Sequence, residues 1–228
     1  GGFPDGPPAS LVTPSSSYSD VSIQKSPSGS IYRFGARFNE RRANDSTNGD
    51  RTELKHQTDY APGTDVWVSY TFMVETQKPG EPDWTWTGIY GDSGCHLGQF
   101  HGGIGSPIFS IQLIDNDSII VWTRPQAPNT PSTQQKPVTR WQKDDFVRGH
   151  EYDVVLHFKT APSGVGSVAE MWLDSQKVID IRDFAFGYSD SDHNNWQWGV
   201  YRRTNEIPLD VQFANMEVGT MDLSHRIN

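Results

Sequence analysis

The sequence predicts an all-β protein, built as a sandwich of two antiparallel sheets with a concave groove. Apolar and polar residues alternate over short runs, and turn-forming residues separate these runs. The 228 residues include 21 Gly, 15 Pro and 12% aromatic residues, a composition that suits strands joined by tight turns. No long stretch shows the apolar period of a helix. Together these features predict sheets packed face to face around a large aromatic core.

The predicted strands are runs in which apolar residues alternate or in which β-branched and aromatic residues dominate. The clearest is the stretch from Val66 to Val74, where every second residue is apolar. In chain order the predicted strands are Ile31 to Phe38, Arg51 to Gln57, Val66 to Val74, Thr85 to Tyr90, Ile108 to Ile114, Ser118 to Thr123, Tyr152 to Lys159, Val168 to Leu173, Lys177 to Ile181, Trp196 to Arg203 and Val211 to Val218.

Turns and loops follow from the residues between these strands. Asp115-Asn116-Asp117 and Asp174-Ser175-Gln176 are predicted hairpin turns, because Asn and Asp tolerate left-handed backbone geometry. Three longer loops, Gln77 to Asp83, Arg124 to Arg140 and Gly187 to Asn195, are candidates for the rim of a site or for plain surface loops.

The chain is predicted to form one domain. Residues 1–20 are rich in Gly, Pro and Ser, which favours an extended N-terminal lead-in over a packed element. Residues 21–228 have the length of one large β-sandwich, and no internal break argues for two domains. We expect a monomer.

Charge and composition narrow the possible partners. The net charge of −9 disfavours nucleic acid and anionic membranes, so any attraction for a polyanion must be local. No apolar run is long enough to span a membrane. The single Cys95 cannot form an internal disulfide and is interpreted as a structural thiol. Acceptor patterns for N-glycosylation at Asn44 and Asn116 favour a secreted, extracellular glycoprotein.

Three short motifs place chemically capable side chains on one face of a sheet. The motifs are Arg51-Thr52-Glu53-Leu54, Gln99-Phe100-His101 and Trp196-Gln197-Trp198-Gly199-Val200-Tyr201-Arg202-Arg203. Strand alternation puts Arg51, Glu53 and Lys55 on one face, Gln99 and His101 on one face, and Gln197, Tyr201 and Arg203 on one face. A cation, an amide, an imidazole and a phenol facing one concave sheet would form a site for removing a proton next to a carboxylate.

In this order the motifs resemble those of the jelly-roll polysaccharide lyases, above all the alginate lyases. The family pattern is Arg-Ser/Thr-Glu-Leu, then Gln-Ile/Val-His, then Tyr-Phe-Lys-x-Gly-x-Tyr-x-Gln. The alginate-lyase Lys falls on Gln197 and the closing Gln falls on Arg203. With these departures, the ending Gly199-Val200-Tyr201-Arg202 is most similar to the fungal endo-β-1,4-glucuronan lyases.

The resemblance implies a β-jelly roll and an endo-acting lyase that cleaves a β-1,4-linked polyuronate, glucuronan first, by β-elimination. The product would carry a C4–C5 unsaturated non-reducing end. An alginate (mannuronate) lyase and a non-catalytic carbohydrate-binding module of the same fold stay open as alternatives. A glycoside hydrolase is disfavoured, because the sequence lacks a run of closely spaced carboxylates such as Glu-x-Asp-x-Glu.

Roles for the site residues follow from the chemistry. Neutralising the uronate carboxylate is assigned to Gln99, assisted by His101 and His56, with Arg51 supplying charge or orientation. Lys55, Gln197 and Arg203 are expected in substrate binding. Glu53 is expected to orient Arg51 or Lys55 within this groove, and Trp84, Trp86 and Trp196 to pack in the core.

Stereochemistry decides the base. In glucuronate or mannuronate the C5 proton and the C4 oxygen lie on the same side, so Tyr201 could serve as both base and acid. In guluronate or iduronate they lie on opposite sides, and His101 would be the base with Tyr201 the acid. An isolated Tyr201 would be read as an ordinary strand tyrosine, and its place beside the other two motifs favours catalysis.

No cofactor is expected to be required for catalysis. Asp190, Asp192 and Asn194 begin like a calcium loop, but the Gly and the closing Glu of an EF-hand are absent. A structural Ca²⁺, common in related jelly rolls, stays open without assigned ligands. The stretch with His96 and His101 lacks partners at zinc-ligand spacing.

Overall fold

A computed structural model describes residues 9–12, 22–26, 29–36, 49–80, 94–103, 105–114, 118–127, 129–203 and 209–227, with the backbone alone for residues up to 52 and for residue 203. The strands are β1 (Ala9–Val12), β2 (Ser22–Ser26), β3 (Gly29–Ala36), β4 (Gly49–His56), β5 (Asp65–Val74), β6 (Cys95–Gly102), β7 (Phe109–Ile114), β8 (Ser118–Thr123), β9 (Val138–Lys143), β10 (Tyr152–Lys159), β11 (Val168–Leu173), β12 (Gln176–Arg182), β13 (Asn194–Arg203) and β14 (Leu209–Gly219). Short 3-10 helices occupy Ser132–Gln134 and Ser224–Arg226.

The strands form two sheets whose neighbouring strands are antiparallel. One sheet, called here the groove sheet, has the order β1-β4-β13-β6-β7-β8-β9. The other, called the back sheet, has the order β12-β11-β10-β5-β14-β3-β2. Each sheet joins strands consecutive in sequence, such as β6-β7-β8-β9, to strands far apart in sequence, such as β4-β13 and β5-β14. The predicted all-β jelly-roll sandwich is confirmed.

The core lies between the sheets and confirms the predicted alternation. Val66, Val68, Tyr70, Phe72 and Val74 of β5 are all buried at 2% exposure or less. They share one apolar cluster with residues of the groove sheet, including Leu54, Phe100, Trp196, Trp198 and Val200. The predicted core position of Trp196 is confirmed. The polar residues of the groove sheet therefore face away from the core.

Several predicted boundaries differ from the structure. β1 lies within the stretch predicted as an extended lead-in, where its residues pair with β4 from Ala9 to Val12. β9 begins inside the loop predicted from Arg124 to Arg140, where Val138 pairs with Thr123 of β8. β2 and β6 were not among the predicted strands, although the Gln99 motif was read as strand-like. β1 has a partner distant in sequence, whereas β2 and β9 are edge strands paired with the next or preceding strand. Backbone pairing defines all three, and their side-chain patterns do not reveal it.

Some turn and loop predictions can be placed and others cannot. The turn after β11 is confirmed, because Asp174 and Ser175 have left-handed φ values of 47° and 68°. The strand predicted from Thr85 to Tyr90, the turn Asp115-Asn116-Asp117, the end of the loop Gln77 to Asp83, Trp84, Trp86, Asn44 and Asn116 lie outside the described residues. Within the described residues, no helix is long and apolar enough to cross a membrane.

Candidate active site

The central strands of the groove sheet present the predicted polar faces. On β6, Phe100 is 1% exposed and packs in the core, while Gln99 and His101 lie on the opposite face. On β13, Trp198 and Val200 are buried in the core, and Gln197 and Tyr201 take the other face. The pairing of Gln197 with Gln99 places the second and third motifs side by side. The sheet thus brings Gln99, His101 and Tyr201 onto one surface.

An irregularity in β6 adds a residue to this surface. His96 precedes Gln99 by three positions, so regular alternation would put the two side chains on opposite faces. The β6–β7 register shifts between His96 and Gly98, and the β13–β6 register shifts between Trp198 and Tyr201. The shift is the mark of a β-bulge, which lets His96 join Gln99 on the groove face.

His96 is the residue that sequence reasoning missed, because it lies directly against Tyr201. Their ring centroids are 5.5 Å apart with an interplanar angle of 18°, a stacked arrangement. His96 Nδ1 lies 2.7 Å from Ser110 Oγ, and its Nε2 lies 3.0 Å from Gln112 Nε2. Since a bulge is set by pairing between strands, no local pattern indicates that His96 shares the groove face.

Glu53 forms a hydrogen bond with Gln99 across the groove face. Gln99 Nε2 donates a hydrogen bond to Glu53 Oε1, and both side chains are buried. A carboxylate only accepts, so this bond fixes which end of the amide faces Glu53. Lys55 forms its ion pair with Asp59 at 3.1 Å, so it is not the partner of Glu53, and the side chain of Arg51, the other expected partner, lies outside the described residues.

Gly199 makes the contact between Glu53 and Gln99 feasible. Gly199 of β13 is the register partner of Glu53 of β4, and β6 with Gln99 lies on the far side of β13. A side chain at position 199 would stand between Glu53 and Gln99 on this face. Gly199 also has φ of 134°, a conformation that residues with a Cβ rarely adopt.

The imidazole of His101 has a defined orientation. Its Nδ1 lies within hydrogen-bond distance of the backbone O of Gly102, and a carbonyl oxygen only accepts. Nδ1 therefore carries the proton in this bond, and in a neutral ring Nε2 would carry the lone pair. Asn195 of β13 is the register partner of His101, and it accepts a hydrogen bond of 2.9 Å from Gln197 Nε2. Gln197 is thus fixed within the groove face.

The first motif is only partly joined to this group. Arg51 is the register partner of Tyr201, so its backbone lies beside the candidate base as predicted. Arg203 is the last residue of β13, where its partner is Gly49. Lys55 is the register partner of Gln197 on the adjoining strand, and its side chain is partly exposed.

His56 does not lie with the other predicted catalytic residues, which corrects its assignment to the carboxylate clamp. It shares the face of β4 that carries the buried Leu54, the opposite face from Glu53. Its ring stacks on Tyr60 at 6.0 Å, and Tyr60 Oη lies 3.3 Å from His56 Nδ1. Burial lowers the pKa of His56, and a backbone hydrogen bond at Thr58 only partly offsets this effect. His56 is therefore a buried, packed side chain on the core-facing side of β4, away from the groove face.

Two of the predicted loops meet beside His101. We call residues 124–137 and 187–193 the rim loops. Ser132 Oγ donates to Asp190 Oδ2 at 3.0 Å, and the backbone N of Ser189 donates to Gln126 Oε1 at 3.1 Å. The backbone N of Gly103, two residues after His101, donates to Ser191 Oγ at 2.7 Å. The rim loops therefore form one hydrogen-bonded wall at this end of the groove.

The residues that begin like a calcium loop have separate partners. Asp190 accepts from Ser132, Asp192 Oδ1 lies 2.5 Å from His193 Nδ1, and Asn194 Nδ2 donates to Thr160 Oγ1 at 3.1 Å. In the described part of the chain, no group of three or more His, Cys, Asp or Glu side chains is placed to hold a metal ion.

Comparison with solved structures shows the same fold. The endo-β-1,4-glucuronan lyase from the fungus Trichoderma reesei superposes with a TM-score of 0.64 at 18% identity, covering 93% of this chain and 87% of that chain. The exolytic PL7 alginate lyase AlyA5 from Zobellia galactanivorans superposes with a TM-score of 0.59 at 11% identity, covering 92% and 89% of the two chains. The family 7 alginate lyase A1-II′ gives 0.58 at 12% identity, covering 93% of each chain.

The fold is thus the jelly roll of carbohydrate-degrading lyases, with polar side chains on its groove face. The sequence itself matches the polysaccharide lyase family over residues 14–217. The chain therefore belongs to the polysaccharide lyase family. A comparison with curated proteins found no match.

Proposed function

We propose that this polysaccharide lyase is an endo-acting enzyme that cleaves a β-1,4-linked polyuronate, glucuronan first, by β-elimination. The observation that carries the proposal is the group formed by Gln99, His101 and Tyr201 on adjoining strands of one sheet. The order and phase of the three motifs, the family match and the likeness to a glucuronan lyase support it.

Gln99 is the proposed clamp for the uronate carboxylate. One N–H of its amide is held by Glu53, which leaves the second N–H as a donor toward substrate. Neutralising the carboxylate makes the C5 proton more acidic, and donors aimed at the developing enediolate stabilise the transition state. His101 and Arg51 assist in this proposal, the first through its imidazole and the second through its charge.

Tyr201 is the proposed base and acid. Its oxygen removes the C5 proton, the C4–O bond breaks as the C4–C5 double bond forms, and the same group returns a proton to the leaving oxygen. This sequence requires the proton and the leaving oxygen on one side of the sugar, as in glucuronate and mannuronate. On guluronate or iduronate, His101 would be the base and Tyr201 the acid.

Glucuronan is favoured over alginate by residues of the third motif. Gln197 stands where the alginate lyases carry Lys, and Arg203 stands where they carry Gln. The likeness to alginate lyases keeps mannuronan as the second candidate. Secretion, a monomeric state, catalysis without a cofactor and a structural Ca²⁺ stay predictions.

The test is an ultraviolet assay of the unsaturated product. Purified protein is incubated with glucuronan, mannuronan, guluronan and heparin, and the absorbance of the new C4–C5 double bond is followed. We expect the signal with glucuronan and little with heparin, and a rapid loss of viscosity for endo action. Saturated reducing ends without the double bond would show hydrolysis, and binding without cleavage would show a non-catalytic module.

A further inference from the structure

A row of rings crosses the groove sheet from Tyr201. The Tyr201 ring stacks on His96, and the rings of His96 and Trp122 form a T-shaped contact with centroids 6.0 Å apart and an interplanar angle of 82°. The guanidinium carbon of Arg124 then lies 4.5 Å from the centroid of the Trp122 ring. These four side chains come from three strands and the residue that follows β8, and they lie on one face of the sheet.

Strand register agrees with this placement. On β8, Ile119 and Val121 are buried in the core, so Trp122 belongs to the opposite face. Trp122 is the register partner of Ser110, and Ser110 is the partner of Gln99. β8 lies three strands from β13, or roughly 14 Å at the usual strand spacing. Gln99 on β6 is nearer, two strands or roughly 10 Å from β8, so Arg124 lies to one side of a sugar held between Gln99 and Tyr201.

The Arg124 guanidinium lies near Trp122 and Tyr188, and it makes one hydrogen bond within the described ranges. Nη1 donates to the backbone O of Gln135 at 3.2 Å, and Nε is buried with no hydrogen-bond partner. Among the described residues, Arg124 has no carboxylate partner within ion-pair distance. Burial lowers the pKa of Arg124, but an arginine stays protonated near neutral pH. A partly buried cation without an anion is costly unless a ligand supplies one.

We propose that Arg124 binds the carboxylate of a uronate residue remote from the scissile bond, and that Trp122 and His96 form the floor between this subsite and Tyr201. The inference rests on the proposed function, because the ligand is the acidic chain that Tyr201 would cleave. A fork of N–H donors suits a carboxylate. The rings of Trp122 and His96 are themselves buried, so they support the subsite from beneath. On a protein with net charge of −9, one such cation gives the local attraction that a polyanion needs.

Arg140 supplies a matched control. Its guanidinium carbon also lies over an aromatic ring, at 5.3 Å from the centroid of Phe184, and its Nε donates to Thr123 Oγ1 at 2.8 Å. Burial lowers its pKa as well. Phe184 packs against the core cluster and Thr123 is fully buried, so Arg140 lies on the other side of the sheet from Trp122.

The experiment compares Arg124→Gln with Arg140→Gln in two assays. Steady-state kinetics on a ladder of oligouronates from the dimer upward should show, for Arg124→Gln, about a tenfold rise in KM on long chains, the loss of one charge-assisted bond. kcat should stay unchanged, because the lost contact is equal in ground and transition states. The shortest substrates should be unaffected, because they do not extend to Arg124. Arg140→Gln should match the wild type on every length.

The second assay measures binding without turnover. In the Tyr201→Phe background, Arg124→Gln should weaken binding of glucuronan about tenfold but leave binding of the carboxyl-reduced polymer unchanged. The Gln side chain keeps a donor for the Gln135 carbonyl, and a melting curve checks that the variant is folded. A folded Arg124→Gln protein with wild-type KM on substrates of all lengths would overturn this inference and leave the proposed function standing. Wild-type protein that neither binds nor cleaves any polyuronate overturns both this inference and the proposed function.

Discussion

A strand tyrosine becomes a candidate for proton transfer through the groups around it. The ring of Tyr201 is held by the stacked His96, and Ser110 and Gln112 hold that imidazole in turn. A phenol that moves by an ångström loses its alignment with the C5 proton, and misplacement of this size is costly in rate. We interpret His96 as a residue that positions Tyr201 without touching the reacting atoms.

The roles of Tyr201 and His101 can be separated by two variants on glucuronan. Tyr201→Phe keeps the ring and its stacking but removes the group that serves as base and acid, so kcat should fall on the order of a thousandfold. His101→Asn keeps a polar group at the clamp and should retain measurable activity. Both are measured by ultraviolet product assay on protein that melts like the wild type. An inactive Asn variant beside a merely slowed Phe variant would make His101 the base.

Gln99 and Glu53 should act as one unit. Gln99→Ala removes a donor that matters most as charge develops, so kcat should fall by about two to three orders of magnitude with a smaller change in KM. Glu53→Gln can turn its own amide N–H toward Gln99 and would no longer fix the orientation of that amide. Adding Glu53→Gln to Gln99→Ala should then cost little more in kcat. Fully additive losses in the double variant would contradict this coupling.

At the scale of strands, alternation predicted most of the groove and pairing decided the rest. Gln99, His101, Gln197 and Tyr201 share a face as their period of two requires. His96 and His56 were misjudged for different reasons. A bulge turned His96 onto the groove face, and His56 was grouped with the site by chemical type although its parity on β4 puts it with Leu54.

Gly98 marks the close packing that the bulge demands. A Cβ at position 98 would lie 2.6 Å from Cη2 of the buried Trp196 and 3.1 Å from Tyr70 Oη. The rings cannot easily move within a packed core, so Gly98→Ala should cost about 1–3 kcal/mol and lower Tm by several degrees. Gly219→Ala is the control, since its Cβ would meet nothing within 4 Å. An unchanged Tm for Gly98→Ala would show that the Trp196 ring can move to make room, and that close packing at the bulge does not require Gly98.

At the scale of the whole molecule, the acidic chain distributes its charges by face. On the outer face of the back sheet, Glu170 receives hydrogen bonds from Lys177 at 2.7 Å and Arg182, and it lies 2.8 Å from His157 Nδ1. Only 6% of the Glu170 side chain is exposed. Cations of this network therefore neutralise the Glu170 carboxylate on the back sheet, which is the sheet opposite the groove face.

The network also predicts how stability responds to acid. Burial alone would raise the pKa of Glu170, but hydrogen bonds from Lys177 and His157 and the nearby charges outweigh it, so the pKa is lowered. A carboxyl group with a lowered folded-state pKa stabilises the protein above its unfolded pKa, about 4.3 for Glu, and this contribution is lost as pH falls through the folded value. Tm should therefore be steady near neutral pH and fall steeply below about pH 4.

Glu170→Gln tests this assignment against Asp180→Asn, which faces the same two cations from an exposed position. Removing the buried partner should cost about 3 kcal/mol at pH 7, or on the order of 10 °C in Tm for a chain of this size. Glu170→Gln should also flatten the decline of Tm in acid, because the titrating group is gone. Asp180→Asn should change Tm little, since exposed ion pairs contribute little. Melting curves from pH 3 to pH 7 decide the matter: equal effects of the two variants would mean that burial of Glu170 does not set the strength of the network.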